Sequence, residues 1–199
     1  MSLFKEIQDV TCCTTVNTSK KEENEPKSWF VMRDLKRVNA KLPAYKLLRN
    51  SEFEVFTPMK WRLVKKNGQK IKEEIPAIPD LLFVHSTREK LDWMVENIRT
   101  LQYRFFKGGG YCEPMTVRDQ DMNRFIVAIN STETPAFYTP EEITPAMYGR
   151  TVRIIGGPLH EYEVPLLKMR GSKVKRIIVE LPTLLAAVVE VNPEYIQLL

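Results

Sequence analysis

Hydrophobic residues in this chain come in short runs, and their spacing alternates between the period of a strand and the period of a helix. Residues 28–33, SWFVMR, are β-formers and predict a first strand. Ala44, Leu47 and Leu48 have helical spacing, so 41–50 predicts a short helix with Pro43 in its first turn. Residues 53–56 alternate and predict a strand that ends near Pro58. In 61–71, two alternating runs flank Asn67-Gly68, a pair suited to the positive φ angles of a type I′ turn, so this stretch predicts a hairpin. Residues 80–85, DLLFVH, are almost continuously apolar and predict a central, buried strand. Ser86-x-x-Glu89 has the form of a capping box, and Leu91, Met94, Val95 and Ile98 then mark one apolar helix face. Residues 101–106 predict a strand, closed by the turn-forming Gly108-Gly-Gly110. Met122, Phe125, Ile126 and Ile129 predict a further helix over 118–130. Together, 28–130 predict an α+β sandwich: an antiparallel or mixed sheet with helices on one side.

The flanking stretches read differently. Leu3, Phe4, Ile7 and Val10 make a short apolar patch, but 11–27 has little to bury, so 1–27 predicts a flexible tail. Residues 131–148 hold Pro135, Pro140 and Pro145 among Ser, Thr and Glu, and predict a semi-rigid linker. From Gly149 a strand places Val152 and Ile154 on one face and Arg153 and Ile155 on the other. Gly156 and Gly157 permit positive φ, and Pro158 sets the exit from the turn. Alternating residues resume over 173–181, so 149–199 predicts a small, strongly bent all-β domain. Residues 181–190 mix helix-favouring Leu and Ala with strand-favouring Val, which leaves a helical alternative open there.

Charge sharpens the picture. The formal net charge is +5, yet the window 33–72 alone holds twelve basic and three acidic residues, a local charge of +9. Basic character is therefore regional, and its bland reading is a solvated surface. No run approaches the ~18 apolar residues of a membrane helix, and the N-terminus lacks the apolar stretch of a secretory signal. Cys12, Cys13 and Cys112 make neither a disulfide framework nor zinc spacing. The reading is a reduced, cytoplasmic protein without membrane contact or cofactor.

The run from Gly149 to Leu159, with Val152, Arg153, Ile154, Gly157 and Pro158, resembles a KOW motif of SH3-like barrels. With Trp29-Phe-Val-Met on the first strand and Pro79-Asp-Leu-Leu-Phe-Val on the central one, the chain over 28–199 resembles the NusG family. That resemblance implies an N-terminal NGN domain (28–130), a linker (131–148) and a five-stranded KOW barrel (149–199). Residues 55–59, 101–105 and 138–147 are more similar still to the UpxY-type specialised paralogues, antiterminators of capsular polysaccharide operons. Two features depart from the family pattern. Asp80 stands where the family usually has glycine, and Glu161 and Val164 stand where KOW motifs usually place glycines.

The resemblance implies a clamp-binding apolar patch for RNA polymerase made by Trp29, Ile78, Pro79 and Leu81; the alternative is that these residues are core. The basic hairpin, with Lys60, Trp61, Arg62, Lys65, Lys66, Lys70 and Lys72, is the nucleic-acid candidate. Its cations alternate with Trp61, Leu63 and Ile71, so one face packs while the other meets phosphate, and Trp61 is placed to stack on a base. A solvated hairpin with a core Trp61 is the alternative. A hydrolase built from Cys112 with His85 or His160 lacks an oxyanion signature and an orienting third group, so an enzyme is disfavoured. The leading function is a transcription antitermination and processivity factor for a capsular or exopolysaccharide operon. RNA polymerase is its main partner, nucleic acid is contacted in the elongation complex, and a ribosomal or regulatory protein is a KOW partner. The alternative is a ribosome-associated or RNA-binding KOW protein.

Overall fold

The computed structural model describes residues 26–35, 42–51, 53–66, 68–106, 113–168 and 174–199. In chain order these form β1 (Ser28–Asp34), α1 (Ala44–Asn50), β2 (Glu54–Phe56), β3 (Met59–Lys66), β4 (Gln69–Pro76), β5 (Leu81–Ser86), α2 (Arg88–Asn97), β6 (Leu101–Tyr103), β7 (Thr116–Val117) and α3 (Asp119–Asn130). There follow β8 (Ala136–Tyr138), β9 (Tyr148–Ile154), β10 (Glu163–Leu167), β11 (Lys175–Leu181), β12 (Leu185–Val191) and β13 (Ile196–Leu198). The tail expected over 1–27 lies almost wholly outside the described residues, as do Asn67, Gly108–110 and Cys112.

The N-terminal sheet has the order β2-β5-β1-β6, with β7 also on β1. Every pairing is antiparallel, and Val31 faces Phe83 at the centre of the β1–β5 ladder. Phe30, Met32, Leu82 and Val84 point to one face, which α1 and α2 cover through Ala44, Leu48, Leu91 and Met94. Trp29, Val31, Leu81 and Phe83 point to the other, where Met122, Phe125, Ala128 and Ile129 of α3 join their cluster. Helices therefore lie on both faces, not on one as expected. The reason is that β1 and β5 are apolar at both alternations, so each face needs cover.

The start of α1 follows Pro43 and is capped from a distance. The buried Asp34 carboxylate, at the end of β1, accepts the Ala44 N–H at 2.6 Å. The capping box expected at α2 does not form. Ser86 is the last residue of β5, paired with Ser28, and Thr87 is the N-cap with no side-chain bond.

The C-terminal half is a six-stranded sheet, β13-β9-β10-β11-β12-β8: the five strands expected over 149–199, β9 to β13, and one more. The additional strand, β8, comes from the proline-containing stretch expected as a linker, and pairs with β12 through Phe137 and Ala187. Residues 181–190 form the β11–β12 turn and most of β12, so the strand reading holds there. Tyr148 donates to Glu180 across this sheet, which pushes the phenol up to about 12, with burial adding to the shift. In contrast to the reading of two glycines with positive φ, only Gly157 has one (+68°). Gly156 is extended, and what excludes a side chain there is Tyr195, whose ring would lie 2.7 Å from an added Cβ. Glu161 keeps a left-handed backbone (φ 65°) without a glycine, and Thr183 does the same in the β11–β12 turn (φ 64°). Val164 lies in β10, opposite Val152.

Both halves share one hydrophobic core. The cluster that holds Trp29, Phe83 and Phe125 runs on into Val152, Ile154, Leu159, Ile177 and Val189. Helix α3 lies at this junction: the Phe125 ring meets Phe56 edge-on, while Arg124 lies over Tyr162 on the C-terminal side. No helix among the described residues is long and apolar enough to cross a membrane.

Candidate nucleic-acid interface

Strands β3 and β4 form a two-stranded sheet of their own, in register from Met59↔Pro76 to Lys66↔Gln69. The turn uses Gly68 at φ 80°, as the dipeptide demands. Directly opposed residues share a face, so Trp61, Leu63, Lys65, Lys70, Lys72 and Glu74 lie together, three lysines to one carboxylate. The Lys72 ammonium is 4.6 Å from the centre of the Trp61 ring, in keeping with that shared face. Lys60, Arg62, Val64, Lys66 and Ile71 occupy the opposite face, where Lys66 pairs with Glu73 at 3.3 Å.

This corrects the expected division of labour. Trp61 and Leu63 do not form a packed face with Ile71; they are 51% and 68% exposed, and Ile71 is on the other side. Among the described residues no third strand pairs with the hairpin, and most of its residues are exposed. Lysines and an aromatic ring thus share one solvent-facing surface, an arrangement that suits phosphate contact together with base stacking. Between the hairpin and the main sheet lies an open groove of about 940 Å³, whose lining includes Tyr45, Lys46, Lys60, Arg62, Glu73 and Pro79.

The four residues expected as an apolar docking patch divide. Trp29 and Leu81 are buried, because both sit on paired central strands facing α3. Trp29 stacks on His85 with ring centres 5.0 Å apart. Ile78 is half-buried against the core edge and Pro79 is exposed. They occupy a tight turn closed by the Leu81 N–H donating to the Ile78 carbonyl at 3.2 Å. The surface at this point is therefore made by Ile78 and Pro79, with Leu81 beneath.

Asp80, in the same turn, accepts Arg33 at 3.2 Å and Arg104 at 3.3 Å. Sequence reading did not single out these arginines; the signal was the carboxylate where the family pattern has glycine.

Of the residues weighed for catalysis, Cys112 lies outside the described residues, and the two histidines have the following neighbours. His85 Nδ1 lies 2.8 Å from Glu54 and Nε2 3.7 Å from Asp119. His160 is exposed beside Glu161, at 3.9 Å. Of the motif residues in β9, Val152 and Ile154 are buried, and Arg153 pairs with Glu163 at 2.5 Å. Gly157 and Pro158 open the short 3-10 turn that follows. Among the described residues no group of three His, Cys, Asp or Glu is arranged to hold a metal.

A family model described as Transcription termination factor nusG matches residues 27–126. The match begins one residue before β1 and ends inside α3, so it takes in the main sheet, α1, α2 and the basic hairpin. No curated protein matches the chain. Members of this family bind RNA polymerase and are transcription factors rather than enzymes. With half of its length matched across the N-terminal fold, the chain belongs to the NusG family of transcription factors.

Proposed function

We propose that this protein is a specialised antitermination factor, cytoplasmic, that rides on elongating RNA polymerase and serves a capsular or exopolysaccharide operon. It does no chemistry. It bridges the polymerase clamp and favours the closed, processive state, and it shifts that equilibrium only by its differential affinity for it. Ile78 and Pro79 make the docking step, with Trp29 and Leu81 as its buried support. The hairpin meets nucleic acid through Trp61, Lys65, Lys70 and Lys72. The C-terminal sheet acts as the KOW barrel, which recruits a ribosomal or regulatory protein.

The observation that carries this reading is the exposed hairpin on a NusG-family fold: an aromatic ring and three lysines on one unburied face. The capsular assignment is supported by 55–59, 101–105 and 138–147, which resemble the UpxY-type paralogues. The reading of a ribosome-associated or RNA-binding KOW protein remains the competitor, favoured by the basic surface alone.

Parallel pull-downs on core RNA polymerase and on naked RNA separate the two. Polymerase capture that is lost in Ile78→Glu with Pro79→Glu, at an unchanged melting temperature, supports the proposal. Retention on RNA without polymerase capture overturns it.

A further inference from the structure

We propose that Arg33, Asp80 and Arg104 form a binding site for a carboxylate of the partner protein, at the edge of the Ile78–Pro79 step. Asp80 already serves both arginines, and both reach the same oxygen. Arg33 Nε and Nη2 lie 3.2 Å from Asp80 Oδ2, and Arg104 Nη2 lies 3.3 Å from it. Two guanidiniums bring ten N–H donors, and a single carboxylate neutralises only one of the two charges. Arg104 Nε is buried without a hydrogen-bond partner among the described residues, so there the cluster lacks an acceptor. Asp80 takes the Nε/Nη2 edge of Arg33, and with the side chain 47% exposed the Nη1/Nη2 edge is the one an incoming acid can meet in bidentate geometry.

The surroundings favour a protein carboxylate over a nucleic-acid phosphate. The turn that presents Asp80 also presents Ile78 and Pro79, so charge borders an apolar step, as at the rim of a protein–protein contact. Asp80 itself repels a backbone carrying successive phosphates. The hairpin offers a surface better suited to phosphate, since Lys60, Arg62, Lys65 and Lys70 sit there close together on paired strands. Asp80 therefore acts as an internal stand-in: it holds the arginines in place and competes with the partner's acid for them.

This inference rests on the polymerase reading above. Its test is the affinity of the full chain for core RNA polymerase, with Arg33→Gln and Asp80→Asn as variants. Arg33→Gln weakens binding about fivefold, as expected for one solvent-edge charge pair. Asp80→Asn strengthens it by a similar factor, since the competitor is gone. Neither changes retention on naked DNA. Equal affinity of parent and Arg33→Gln overturns the site while the polymerase reading stands. Loss of DNA retention in Arg33→Gln assigns the arginines to phosphate and also overturns it. No capture of polymerase by the parent removes the reading and the site together. Arg33 is half exposed, so its variant remains informative even if Asp80→Asn fails to fold.

Discussion

Strand β5 and the hairpin β3–β4 are neighbours in the chain and both are rich in β-formers, yet they are held by different forces. Leu81, Leu82, Phe83 and Val84 are all buried, between α1 and α2 on one side and α3 on the other. In the hairpin, Trp61, Leu63 and Ile71 are all exposed. The strand exists because two covered faces demand it; the hairpin exists because its turn and cross-strand pairs close locally. Apolar residues in the first hold the fold, and those in the second are free to meet a partner.

The largest expected effect breaks the covered side. Phe125 is fully buried at the junction of the two halves, so Phe125→Ala costs roughly 3–5 kcal/mol in a denaturant titration. Leu63→Ala in the hairpin stays within about 0.5 kcal/mol of the parent. A comparable loss in the two variants would show that the hairpin is packed after all.

Within the hairpin the comparison is between faces. Changing Lys65, Lys70 and Lys72 to Gln flattens the salt dependence of DNA binding by roughly 0.7–0.9 in log–log slope for each phosphate that is no longer neutralised. The corresponding change of Lys60, Arg62 and Lys66 has the smaller effect, because Lys66 already pairs with Glu73. Equal slopes for the two triple variants would remove the distinction between faces.

The smallest effect tests local backbone against tertiary demand. Thr183 and Glu161 hold positive φ without glycine. Thr183→Gly and Glu161→Gly each raise stability by about 0.5–1 kcal/mol, the left-handed strain relieved less the added chain entropy. An unchanged melting temperature would show that neither turn is strained.

Much of the N-terminal half was legible in the residues. The Asn67-Gly68 pair marked the hairpin, the apolar run from Leu81 marked the central strand, and Met122, Phe125 and Ile129 marked α3. These signals are local: turn chemistry and periodicity act over a few residues. What was not legible depended on distant partners. The Ser86–Glu89 pattern looked like a helix start, but Ser86 was drawn into the ladder opposite Ser28. Residues 136–138 sat among prolines and looked like linker, but β12 supplied an edge for them to pair with.

The sequence by itself determined most of the order of strands and helices, though not β7 or β8, together with the basic window and the hairpin, because each follows from short-range geometry and charge. Only the tertiary structure decided that α3 joins two halves into one core, since the helix's periodicity does not say what covers it. It also decided that Trp29 and Leu81 are interior, Ile78 half-buried at the core edge and Pro79 exposed, because burial is set by the element packed opposite. The meeting of Arg33, Asp80 and Arg104 belongs to the same class: three charges far apart in the chain are brought together by the pairing of β1 with β5 and β6.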